Sequence, residues 1–339
     1  MPKTIKHILV IRLSAMGDVA MTIPVLRAFT QQYPNVKITV LTRGFFNPFF
    51  RDLPNVTVFS PDLKGKHKGI FGLLKLSRAL AKLNIDAVAD LHNVLRTNIL
   101  KFFFFGINVV QIDKGREDKK ALINGKNFVQ LTTTHQRYVE VFKQLGFPLN
   151  LSKPSFPKRK ELPSKTLVIV GNDSKKWIGI APFATYESKM YPLHLMEEVI
   201  KELSKNNKVL LFGGGEHEIK ILNDFESKFN NVVNVAGMLS LDEELDIISN
   251  LDVMLSMDSG NAHIAAMLGI NVVTLWGVTH PFAGFYPFNQ NPENALLANR
   301  NIYPEIPTSI YGNKFPESYK NVMKSISPEL VINKINSLI

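Results

Sequence analysis

No cysteine occurs among the 339 residues. That excludes disulfides and thiolate-held metals, and it fits a reducing compartment. No apolar run approaches the roughly 20 residues that a membrane span needs. Lys3 and Lys6 precede the apolar stretch HILVIRL, which is too short for a signal segment, so a cytoplasmic protein is expected. The eight histidines show no HxxxH or HExxH spacing, and no metal site is expected. GxGxxG, Walker A and GxSxG are missing too, which argues against a dinucleotide fingerprint, a P-loop and a nucleophile elbow. No helix-turn-helix, RRM or arginine-rich arm is visible, so nucleic acid is not an expected partner.

Carboxylates are scarce in one half only. Residues 1–160 hold 26 of the 40 Lys and Arg but 9 of the 29 Asp and Glu, a net of +17. The remainder carries −6, and the whole chain +11. A basic half joined to a mildly acidic half suggests two binding tasks, the first of them with an anionic partner. Hydrophobic residues at 45% and charged residues at 20% describe an ordinary globular chain, and its length suggests two domains.

Short apolar runs alternate with helical spacing throughout. In the first half, strands are expected at 7–13, 36–41, 56–59, 87–91 and 109–112. Helices are expected at 19–32, 67–83, 96–105 and 134–145, with a short aromatic helix near 44–52. A linker rich in proline and lysine covers 147–164. The pattern restarts with an edge strand at 166–170 and strands at 177–182, 209–212, 232–235, 252–257 and 270–276. Helices fall between them, and terminal helices occupy 315–338. The fold class is therefore α/β, with two doubly wound parallel domains facing across a cleft. The expected boundaries are 1–160, 161–315 and a terminal segment 316–339 returning to the first domain.

Residues 250–279 organise the second half as strand, loop, helix, strand. Asp258, Ser259 and Gly260 break the strand with turn and N-cap types. A helix N-terminus at the carboxyl end of a parallel strand attracts anions through its free N–H groups and its dipole. Asp258, Ser259, Gly260 and His263 would face that crevice; equally, they fit a capped core helix. Gly213, Gly214 and Gly215 separate a strand from a helix and permit close backbone approach to a ligand. Glu218, in the next turn, could accept from ribose hydroxyls. Lys189 would suit a phosphate clamp and Thr185 a hydroxyl donor, though a lysine is usually a solvated surface residue. In the first half, Asp18 stands at a helix start in MGD and is placed for a general base, or simply for the helix dipole. His92, Asn93, Arg96, Arg116, Lys119, Lys120 and Arg137 are candidates for an anionic acceptor. For lipid contact, Phe45–Phe50 is preferred over the Phe102–Phe105 run, which reads as core.

Four motifs coincide with one family. The segments ILVIRLSAMGDVAMTIPVLRAF, IAPFATYESKMYP, LLFGGGEHE and MDSGNAHIAAMLGINVVTLWG resemble, in order and spacing, those of the heptosyltransferases of glycosyltransferase family 9. That resemblance spans roughly residues 7–280. It implies a GT-B fold of two Rossmann-like domains and inverting, metal-independent transfer of heptose or a related sugar from an ADP-sugar. The implied acceptor is a phosphorylated glycolipid of the lipopolysaccharide inner core, and no cofactor is implied besides the donor. The family's base falls on Asp18, its phosphate-binding pair on Thr185 and Lys189, and its ribose-binding Glu on Glu218. Its adenine region falls on Met238 and Leu239, and its remaining donor residues on Asp258, Ser259, Gly260 and His263. Two departures are visible: Tyr191 stands where well-known members have tryptophan, and DLHNVLRTN differs. The reading leaves room for peripheral contact with the inner membrane. The alternatives are a transferase or epimerase using another nucleotide sugar, and a non-catalytic binder of an anionic glycan.

Overall fold

The computed structural model describes residues 5–339; Lys3 lies outside them. The described chain forms two compact units. The first takes the chain up to Lys114 together with Thr134–Ser155, and the second takes Gly115–Thr133 and Phe156–Ile339.

The first unit is built on β1 (His7–Ile11), α1 (Met16–Ala20), α2 (Thr22–Gln32), β2 (Lys37–Leu41), β3 (Val56–Phe59), α3 (Gly69–Ala81), β4 (Ala87–Asp90), α4 (Leu95–Phe102) and β5 (Asn108–Gln111). Next in the chain comes α5 (Arg116–Ile123), in the second unit, and then α6 (Thr134–Gln144), back in the first. The five strands pair in the order β3-β2-β1-β4-β5, all parallel. Ile8 lies opposite Ile38 on one side and Ala87 on the other. Apolar runs such as HILVI suit this sheet because parallel strands are covered on both faces. Leu9, Ile11 and Val88 pack against Leu73, Leu76 and Leu80 of α3 and Leu100 of α4. Alternate residues turn to the opposite face. On α2 and α6, Phe29 and Phe142 meet with ring centroids 5.0 Å apart. The sheet order reverses between β1 and β4, the switch point where α/β sheets place ligands.

The second unit adds α7 (Ser164–Val170), β6 (Trp177–Ala181), α8 (Leu193–Leu203), β7 (Lys208–Leu211), α9 (Glu216–Lys228), β8 (Val232–Asn234), α10 (Leu241–Ile248), β9 (Val253–Met257), α11 (Gly260–Met267), β10 (Asn271–Trp276), β11 (Ala295–Leu297) and α12 (Pro328–Asn336). Its six strands run in the order β11-β10-β9-β6-β7-β8, again all parallel. The switch point lies between β9 and β6.

Three expectations change. Residues 166–170 form the helix α7, not an edge strand. Pro163 sets its start, Gly171 ends it at φ 78°, and Thr166 and Val170 are buried one turn apart while Val168 stays outside. Its β-branched residues fit a helix because only one stripe has to be buried. The segment Gly115–Thr133 joins the second unit. Leu122 and Leu131 share a small core with Ala283 and Ile310, and Leu131 donates its N–H to Phe282 O. The terminal helix α12 packs on α8 within the second unit and contributes Val331 and Ile335 to its core. The terminal segment was expected to return to the first domain.

Candidate active site

In the first unit the chemistry gathers at the β1/β4 switch point. Asp18 is the third residue of α1, and its Oδ2 accepts from the Ala15 N–H at 3.2 Å. The same oxygen lies 2.6 Å from Arg12 Nη2. Arg12 ends the apolar run of β1 and is 7% exposed. Its Nη1 donates to Leu91 O at 2.6 Å, so one guanidinium ties α1 to the end of β4. Burial works against that charge, but Tyr138, Asp18 and Asp90 more than offset it and raise the Arg12 pKa. Tyr138, buried in α6, reaches Asp18 O with its hydroxyl at 3.3 Å. Asp18 is therefore a carboxylate fixed in direction, with 28% of its side chain open to solvent.

His92 and Asn93 follow β4 on the other side of the switch. Asp90 shapes their turn by accepting both N–H groups, at 3.0 and 2.9 Å. The Leu13 N–H donates to His92 Nδ1 at 3.4 Å, which assigns the ring proton to Nε2. Burial, followed by the Arg12 charge, lowers the His92 pKa to about 4. At neutral pH His92 is thus an uncharged donor, not a cation for phosphate. Asn93, left-handed at φ 43°, spends its amide on Ile112 O at 2.9 Å. Arg96 is exposed on the first turn of α4. Arg116 and Lys120 are exposed on α5 and belong to the second unit. Lys119 is buried with its ammonium 4.2 Å from the centre of the Phe285 ring, and Arg137 is buried beside Asp113. Both serve packing.

In the second unit, the donor candidates follow the carboxyl ends of four strands that are neighbours in the sheet. Asp258, Ser259 and Gly260 follow β9; Thr185 and Lys189 follow β6; Gly214 and Glu218 follow β7; Met238 and Leu239 follow β8. Adjacent strands lie roughly 4.8 Å apart, so the row spans about 14 Å, the reach of an extended nucleoside diphosphate. At its β9 end the Lys189 ammonium sits 2.8 Å from Asp258 Oδ2, and Thr279 donates to the same oxygen at 2.9 Å. Ser259 is the N-cap of α11, yet its side chain makes no cap bond; its hydroxyl lies 3.1 Å from Ser256 Oγ. The first-turn N–H groups of α11 are thus left to other acceptors. His263 is buried within this helix. In the glycine loop, Gly214 donates its N–H to Glu218 Oε2 at 2.8 Å. A side chain at Gly214 would meet open space. Met238 is 58% exposed at the β8 end.

Sequence reasoning missed Arg12, Thr279 and Gly312. A charge inside an apolar strand was the available signal for Arg12. Gly312, at φ 86°, lies against the Lys189 stem: an added Cβ would stand 2.6 Å from Lys189 Cδ. Ser188 Oγ fastens the same turn by donating to Gly312 O at 2.5 Å. Tyr191 is a core residue whose hydroxyl donates to Ile326 O at 2.7 Å. A cavity of about 710 Å³ elsewhere in the second unit, bordered by Phe128, Arg300 and Lys314, includes none of the donor candidates.

The sequence model of glycosyltransferase family 9 (heptosyltransferase) matches residues 73–311. The chain belongs to this family. As a family 9 glycosyltransferase it resembles the lipopolysaccharide core heptosyltransferase OpsX of Haemophilus influenzae, at 25% identity over 98% of this chain and 97% of the relative. It also resembles lipooligosaccharide heptosyltransferase 2 of Campylobacter jejuni, at 23% identity over 95% and 96%. Among solved structures, the family 9 glycosyltransferase of Veillonella parvula superposes with a TM-score of 0.75, at 19% identity over 98% and 97% of the two chains. E. coli ADP-heptose LPS heptosyltransferase II superposes with a TM-score of 0.70, at 21% identity over 98% of each. The fold is GT-B, made of two Rossmann-like parallel units, as the family resemblance implied. No helix among the described residues is long and apolar enough to cross a membrane.

Proposed function

We propose that this glycosyltransferase moves a heptose from ADP-heptose to a phosphorylated inner-core acceptor of lipopolysaccharide, with inversion and without a metal. The observation that carries the reading is the row of donor candidates along β9, β6, β7 and β8. Cationic and N–H groups stand at its β9 end, a carboxylate in the middle, and an exposed apolar residue at its β8 end. That order suits diphosphate, ribose and adenine in turn. The named activities of the relatives support the same donor and acceptor.

In this reading Asp18 removes the proton of an acceptor hydroxyl. The freed oxygen attacks the anomeric carbon, the bond to the diphosphate breaks, and ADP leaves with that electron pair. One displacement inverts the anomeric centre. Lys189, Thr185 and the α11 N-terminus stabilise the charge gathering on the diphosphate, the work a cation would otherwise do. Glu218 turns its free oxygen to the ribose. His92 offers a neutral Nε2–H to the acceptor, and Asn93, Arg96, Arg116 and Lys120 supply further acceptor contacts. The reading includes a cytoplasmic protein, because ADP-heptose is taken as its donor there.

A thermal-shift panel of nucleotide sugars tests it. ADP-heptose and ADP should raise the melting temperature in the presence of EDTA, while UDP- and GDP-sugars should not. A larger shift with a UDP- or GDP-sugar would replace the donor, and a shift that vanishes with EDTA would end the metal-free mechanism.

A further inference from the structure

Helices α3 and α4 lie in one layer, since both pack into the core on the same face of the first sheet. Their outward sides carry apolar residues with no cover. Phe71 is 83% exposed, Phe102 80% and Phe105 98%. Ile70, next to Phe71, and Leu95, at the start of α4, are exposed as well. On α3, Phe71 shares a stripe with Lys75 and Arg78, one and two turns on, and all three are exposed. On α4, Leu95 and Phe102 stand two turns apart on one stripe. The phenylalanine run therefore divides: Phe104 enters the core and Phe103 packs partly against it, while Phe102 and Phe105 point away. Phe46, Phe49 and Phe50 are buried, so the run expected to meet lipid is largely core, and the run expected to be core is half outside.

The charge around this layer is one-sided. Residues 62–102 contain eight Lys and Arg against three Asp and no Glu. All three Asp are engaged within the fold. Asp62 accepts from Gly65 and Lys66 N–H, Asp86 from Lys6 and His7 N–H, and Asp90 is buried. Exposed phenylalanines among lysines match an anionic bilayer surface: rings enter the headgroup boundary while cations stay at the phosphates. Exposed apolar patches mark protein and membrane partners alike; the one-sided cationic surround of this one favours a continuous anionic surface.

We propose that the outer face of α3 and α4 docks on an anionic phospholipid bilayer. The inference leans on the proposed function only in that a lipid-linked acceptor is met at a bilayer. The full chain is sedimented with phosphatidylcholine vesicles, with and without phosphatidylglycerol. Binding is expected only with phosphatidylglycerol, and it should weaken as salt rises. Phe71→Ser/Phe102→Ser/Phe105→Ser should weaken binding at least about tenfold, and Lys75→Glu/Arg78→Glu should do the same. Circular dichroism and the ADP thermal shift should be unchanged in both variants. That control also separates a failure here from a failure of the donor reading. Wild-type protein that ignores phosphatidylglycerol vesicles overturns the proposal, as does a triple-serine variant that binds like wild type. So does light scattering that finds the wild type paired through this face and the variant monomeric with vesicle binding intact.

Discussion

Asp18 reaches Arg12 from the first turn of a five-residue helix, and Arg12 reaches back to Leu91 O. The proposed base role needs a carboxylate held in direction as well as present, and the holding group is a buried guanidinium. Asp18→Asn keeps the size and one acceptor but cannot take a proton. Turnover should fall roughly 100- to 10,000-fold while ADP still raises the melting temperature. Near-normal turnover in that variant would dismiss Asp18 as the base. Arg12→Lys keeps the charge but gives up the fork that spans Asp18 and Leu91. It should lower kcat about tenfold or more, with stability reduced by roughly 1–3 kcal/mol from the buried donor geometry lost. A kcat that is unchanged while the protein merely melts earlier would make Arg12 structural. Asp18 was legible in the sequence because MGD opens a helix after a strand. Arg12 was not, because in a linear pattern it is only a charge interrupting an apolar run.

At the scale of elements, the proposed diphosphate site draws on the N-terminus of α11 after β9 and on the turn carrying Lys189 after β6. Asp258 pairs with Lys189, so in the proposed reading the diphosphate shares or displaces that contact. The turn at Gly312 fixes the Lys189 stem from a third direction. Gly312→Val places a side chain where only φ 86° and no Cβ now fit. The ADP dissociation constant should rise at least about tenfold, approaching that of Lys189→Ala, because one variant displaces and the other removes the same ammonium. Calorimetry that finds ADP binding intact in Lys189→Ala would reject the phosphate role outright. The strands and most helices of both units were legible from alternation of apolar runs and helical spacing. Residues 166–170 misled because β-branched residues serve a one-sided helix as well as an edge strand. The strand β11 went unnoticed because it is only three residues long and pairs with β10 across a long connection.

For the molecule as a whole, pH acts through a few buried groups. Burial raises the Glu244 carboxyl to about 7, even though it stands in the first turn of α10, where the dipole favours charge. The folded chain then holds a proton that the unfolded chain releases near 4.5, so this contribution is present at low pH and is lost between about 4.5 and 7. His92 and His280, both lowered to about 4 chiefly by burial, work the other way. They favour the fold above 6.5 and lose that contribution as pH falls towards 4. Glu244→Gln isolates the first effect. In urea, its midpoint relative to wild type should be higher at pH 8 than at pH 4.5. A difference that does not change with pH would show the carboxyl titrating normally.

The order of strands and helices, the family membership and the identity of the donor candidates follow from local pattern, because each depends on neighbours in the chain. The basic bias of the first half is likewise a property of composition alone. Tertiary structure decided which strands lie side by side, and so that the donor candidates form one row. It gave Asp18 its guanidinium, made His92 neutral, moved Gly115–Thr133 into the second unit, and turned Phe102 and Phe105 outward. These depend on groups far apart in sequence meeting in space. Burial and distance set charge and contact there, and neither is written in the linear order of residues.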